Sequence, residues 1–135
     1  MTTPFGPQLI GETEKTLNAL LLRHLEGTGL TEPQWVTLRL AGTLDGSVDT
    51  DGLTATVGDR AHFTDADQLV GALTARGLLD DGRLTSAGRD LVAGIRASTA
   101  AATAPIWDGL STDDVVATTR VLNEVLERAH AALAQ

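Results

Sequence analysis

A chain of 135 residues with 42% hydrophobic content can bury a core of its own, which excludes a disordered polymer. Cysteine is absent, so disulfides and thiolate chemistry are excluded, and no apolar run approaches the ~18 residues of a membrane span. Ten basic against 18 acidic residues give a net charge of -8, so any nucleic-acid contact must rest on a locally basic face.

In chain order, Met1 to Pro7 holds two prolines and a glycine and is expected to be an extended arm, with Phe5 packing on a partner subunit. No basic region followed by an apolar run opens the chain, and the expectation is a cytoplasmic protein with no membrane role. Gln8 to Glu26 reads as a helix. Its leucines at 20, 21 and 22 make it apolar on more than one side, as suits a helix shared between its own domain and a dimer interface. Gly27 and Gly29 end it.

Thr31 is placed to cap a second helix, with Pro33 in its first turn, Gln34 at the capping-box position, and Trp35, Leu38 and Leu40 as its apolar face. Gly42 to Gly52 is turn-rich and reads as a loop. Leu53 to Asp59 leaves room for a short helix, weakened by two threonines, Val57 and Gly58, as the first half of a helix-turn-helix. Thr64 is the expected cap of the next helix, through Ala75, whose stripe is Leu69, Val70 and Leu73. Asp65 and Asp67 suit its positive end.

Gly77 is placed to end that helix, and Leu78-Leu79, Asp81-Gly82 and Arg83-Leu84 then spell strand, tight turn and strand. Thr85 caps a further helix through Leu91, Val92 and Ile95. It continues over the small residues 97–104 until Pro105 breaks or kinks it. Ser111 caps the last helix. Val115, Leu122, Leu126, Ala129 and Leu133 form an apolar seam there, with Val121 and Val125 beside it, and predict a two-fold homodimer. Helix, hairpin, helix in under thirty residues is the layout of a winged helix.

Three stretches carry a family resemblance in the right order. ARGLLDDGRLTSAGRDL, from Ala75, resembles the end of the recognition helix, the wing and the next helix start in the MarR family of bacterial regulators. LTEPQWVTLRLAG, from Leu30, resembles that family's second helix, and Ala104 to Leu133 its C-terminal dimerisation helix. The resemblance implies one domain over 1–135: mostly α with a small β-hairpin, a winged helix-turn-helix body at 31–85, and N- and C-terminal dimerisation helices at 1–30 and 86–135. It implies a ligand-responsive transcriptional regulator that binds duplex DNA as a homodimer, one helix from 64 to 75 in each half-site.

On that reading the DNA contacts are Thr64, Gln68 and Arg83: Gln68 can read adenine, and Arg83 is the wing's candidate for the minor groove. The resemblance also implies a cleft between dimerisation helices and body for a small aromatic or phenolic effector, bordered by His24, Trp35 and Arg39. The charge count opposes the DNA reading. From Thr31 to Asp90 there are five arginines and ten acids, a net of -5, and the wing is short and acidic. The alternative is a repurposed member of the fold that has lost DNA binding and binds a small molecule or a protein. An enzyme in the same pocket is a remote third. No phosphate loop, dinucleotide fingerprint or Gly-x-Ser-x-Gly occurs, and His24, His62 and His130 lack metal-ligand spacing. No cofactor, metal or catalytic residue is expected.

Overall fold

The computed structural model describes residues 2–135; Met1 lies outside them. Six helices and one hairpin follow in the order α1 Pro7–Leu25, α2 Glu32–Leu44, α3 Thr50–Ala61, α4 Ala66–Ala75, β1 Leu79–Asp80, β2 Arg83–Leu84, α5 Ser86–Trp107 and α6 Thr112–Leu133. This is a mostly helical winged helix-turn-helix. The chain divides into two compact units, one ending at Ala100 and the other running from Ala101 to Gln135.

In the first unit the core lies among α2, α3, α4 and β1, where Leu38, Leu53, Leu73 and Leu79 are fully buried. Burying each such side chain favours folding by about 1.5–3 kcal/mol relative to leaving it in water. α2 begins with the expected capping box: Gln34 N–H donates to Thr31 Oγ1 at 3.3 Å, and Thr31 N–H donates to Gln34 Oε1 at 3.0 Å.

The loop expected from Gly42 to Gly52 shrinks to residues 45–49. α2 runs on to Leu44 and stops at Asp45, which is left-handed at φ 47°. Asp49 then caps α3, its Oδ1 accepting from Gly52 N–H at 2.9 Å. α3 is a regular helix of 12 residues rather than the short weak one expected. Its threonines are absorbed into it: Thr54 and Thr56 donate to the carbonyls four residues back, at 2.8 and 2.9 Å. Leu53 and Val57, one turn apart, anchor it in the core.

Thr64 does not cap α4. Asp65 holds the N-cap position, and its side chain makes no capping hydrogen bond. At the other end Gly77, at φ 76°, closes the helix as expected. Its N–H donates to Thr74 O, and Leu78 N–H reaches Leu73 O, the paired bonds of a Schellman motif.

The hairpin pairs Leu79 with Leu84 and Asp80 with Arg83, so β1 starts one residue later than expected. Asp81 and Gly82 both have positive φ (50° and 81°), as a two-residue hairpin turn requires. Thr85 caps α5, accepting from Gly88 N–H at 3.0 Å while its own hydroxyl donates to Gly77 O at 2.6 Å.

Pro105 does not break α5, which ends at Trp107. Proline there removes only its own N–H from the ladder, and Asp108 N–H still closes on Ala104 O at 2.8 Å. In the second unit Ser111 caps α6, and Asp113 and Asp114 lie in its first turn. α6 buries none of its residues. Among the described residues no helix is long and apolar enough to cross a membrane.

Candidate nucleic-acid interface

α3 and α4 are joined by residues 62–65, with His62 left-handed at φ 59°. α4 buries Ala66, Leu69, Val70 and Leu73 and exposes Asp67, Gln68, Gly71, Ala72, Thr74 and Ala75. Its outward face is therefore a slim helix surface with few long side chains. Thr64 and Gln68 are both exposed. A helix presented in this way matches the dimensions of a DNA major groove.

The wing is seated on the body. Gly82 is buried, and a Cβ built on it would lie 2.5 Å from the carbonyl oxygen of Asp49 and 3.0 Å from Thr50 N. The hairpin turn thus rests against the start of α3, bringing Asp49 next to the Asp80-Asp81 tip. This backbone contact was not visible in the sequence, because loop composition does not reveal which segments touch.

Six of the nine arginines fall into three groups. Arg76 donates to the carbonyls of Gly29 (3.0 Å) and Thr28 (3.5 Å), which ties the end of α4 to the α1–α2 loop. Arg39 and Arg60 line a cleft of about 430 Å³ with Glu14, Asn18, Glu32, Val36 and Phe63. Arg83, Arg89 and Arg96 line a second cavity, of about 350 Å³, together with Asp45, Gly46, Leu84 and Val92.

The cleft that Arg39 lines does not include the other two residues expected to border an effector site. Trp35 is a core residue, 5% exposed. The His24 ring Nδ1 lies 3.2 Å from Ser98 Oγ, linking α1 to α5. Of the three, only Arg39 lines the cleft. Burial pushes the Glu32 carboxyl there above its ordinary pKa; Glu14 adds to the shift and Arg39 offsets it. Two carboxylates thus accompany the two guanidiniums, and the cleft carries no clear preference for an anion.

Sequence reasoning missed Arg96 and its grouping with Arg89. With Val92 and Ala93 they recur at spacings of three, four and seven on α5, which places them on one helical face. That spacing was readable, but the strand that brings Arg83 to the same face was not.

The exposed α4, the four-residue turn and the hairpin define a winged helix-turn-helix protein. A family model described as a helix-turn-helix family matches residues 27–135, and the chain belongs to that family. Membership points to a DNA-binding regulator. No curated protein and no solved structure matches the chain.

Proposed function

We propose that this protein is a MarR-like transcriptional regulator that binds duplex DNA as a homodimer and responds to a small effector. The observation that carries the DNA half is the outward face of α4, free of bulk along Gly71, Ala72 and Ala75 and bearing Gln68 beside the exposed Thr64. On this reading Thr64 and Gln68 meet base edges or phosphates, and Arg83 contacts the backbone or minor groove beside them.

The homodimer half is supported by α6, where Val115, Leu122, Leu126 and Leu133 are all exposed along one seam. The effector half is supported by the Arg39 cleft. Val36, Leu40 and Phe63 supply apolar wall there for the ring of a small aromatic or phenolic compound, and the balanced charges of the rim supply polar contacts. His24 and Trp35 are outside that cleft, so their part in effector binding is indirect.

A second reading is favoured by the seating of Gly82 on Asp49. A wing held against an acidic helix start has little reach and repels phosphate, as suits a member of the fold that has lost DNA binding and binds a small molecule or protein. The two readings separate in one binding experiment. The regulator reading expects DNA affinity that falls steeply with salt and weakens in Gln68→Ala and Arg83→Ala. Loss of neither variant's affinity would rule out docking through this face.

A further inference from the structure

The cavity among α2, β2 and α5 gathers three of the chain's ten basic residues in a protein of net charge -8. Arg89, Val92, Ala93 and Arg96 come from one face of α5, Arg83 from β2, and Ala41, Gly42, Asp45 and Gly46 from the end of α2. All lie within the first unit. None of the three guanidiniums is ion-paired among the described residues, although the cavity includes Asp45.

Two of the arginines are held in place. Arg89 Nη1 donates to Leu84 O at 3.0 Å. The Arg83 guanidinium packs on Gly46, where a Cβ would lie 3.1 Å from Nη2; Gly46, at φ 76°, sits in a conformation that other residues rarely adopt. Among the described residues the Arg96 guanidinium has no partner. The buried Ala41, Leu84 and Val92 give the cavity an apolar floor.

Three arginines and one aspartate leave the cavity at +2, from +3 and -1. The C-terminal end of α2 borders the cavity and adds a partial negative charge of about half a unit, which the three arginines outweigh. Guanidiniums offer forked donors that match carboxylate and phosphate oxygens. A concave site with an apolar floor suits a small molecule better than a DNA strand, whose phosphates meet cations that project.

We propose that this cavity is a binding site for a small organic dianion, held by Arg83, Arg89 and Arg96 over the Leu84–Val92 floor. The site is separate from the Arg39 cleft. It shares only Arg83 with the DNA reading, so an occupant would withdraw that arginine from DNA.

The test uses the full chain without DNA, so its failure leaves the regulator reading untouched. Phenyl phosphate, succinate and the monoanion benzoate are titrated calorimetrically at fixed ionic strength. At least one dianion is expected to bind saturably in the millimolar range or below, about tenfold more tightly than benzoate. Arg96→Gln, which breaks no internal bond, is expected to weaken it about tenfold. Arg89→Gln should do the same, provided its circular dichroism and melting match the parent. Neither dianion saturating, benzoate binding equally well, or Arg96→Gln leaving affinity unchanged would each overturn the proposal. A separate DNA titration in which Arg89→Gln and Arg96→Gln weaken binding while dianion binding stays intact would also overturn it, making these arginines phosphate-backbone contacts.

Discussion

Gly82 and Asp49 meet backbone to backbone: a Cβ on Gly82 would fall 2.5 Å from the Asp49 carbonyl oxygen. Gly82 is also left-handed, at φ 81°. Gly82→Ala therefore adds both a steric overlap and an unfavourable conformation, and should cost about 2 kcal/mol or more. Gly94→Ala is the contrast. That residue lies inside α5 with nothing within 4 Å of its Cβ position, so alanine should stabilise by about 0.5–1 kcal/mol. Urea unfolding should show the two midpoints moving in opposite directions. A Gly82→Ala midpoint equal to the parent's would mean that the wing is not seated on α3.

Arg76 serves the fold. Its bond to Gly29 O joins the end of α4 to the loop before α2. Arg76→Ala should lower stability by about 1 kcal/mol and leave DNA affinity unchanged once allowance is made for any unfolded fraction. A drop in affinity with stability intact would put Arg76 at the interface instead.

Much of this architecture was readable before any coordinates. The Thr31–Gln34 capping box, the Gly77 helix stop, the Asp81-Gly82 turn and the Thr85 cap are local devices, each set by a few adjacent residues, and all four are found where expected. The misreadings have a common cause. Residues 42–61 look weak by propensity, yet the burial of Leu53 and Val57 and the Asp49 cap hold α3 together. Trp35 is buried on the apolar face of α2 where it was expected, but which neighbours that face meets is decided by tertiary packing. The Arg83–Arg89–Arg96 cluster needs a strand and a helix to meet, a relation that no spacing along the chain records.

The seam of α6 predicts its own disruption. Leu122→Glu with Leu126→Glu places charge on exposed apolar positions, so it should leave the fold intact and halve the mass seen by light scattering. An unchanged mass would place any dimer contact elsewhere.

Glu32 gives a prediction in pH. Its carboxyl is raised above the unfolded value, chiefly by burial, so the folded state binds the proton more tightly than the unfolded chain. Stability from this group therefore falls as pH rises from the ordinary carboxylate range through the raised value, and the penalty persists at neutral pH. Glu32→Gln should be more stable than the parent at pH 7, and the difference should shrink toward roughly pH 4. A difference that stays constant or grows on acidification would contradict that assignment.

The most direct measurement is binding to the DNA upstream of the protein's own gene across a salt series from roughly 50 mM upward. The account predicts tight binding with a steep inverse dependence on salt. Arg83→Ala should weaken it and lower the salt slope by about one, while Asp65→Asn with Asp67→Asn should strengthen it by removing carboxylates from the start of α4. A folded protein that binds neither this DNA nor genomic fragments at the lowest salt would contradict the regulator reading and leave a ligand-binding module in its place.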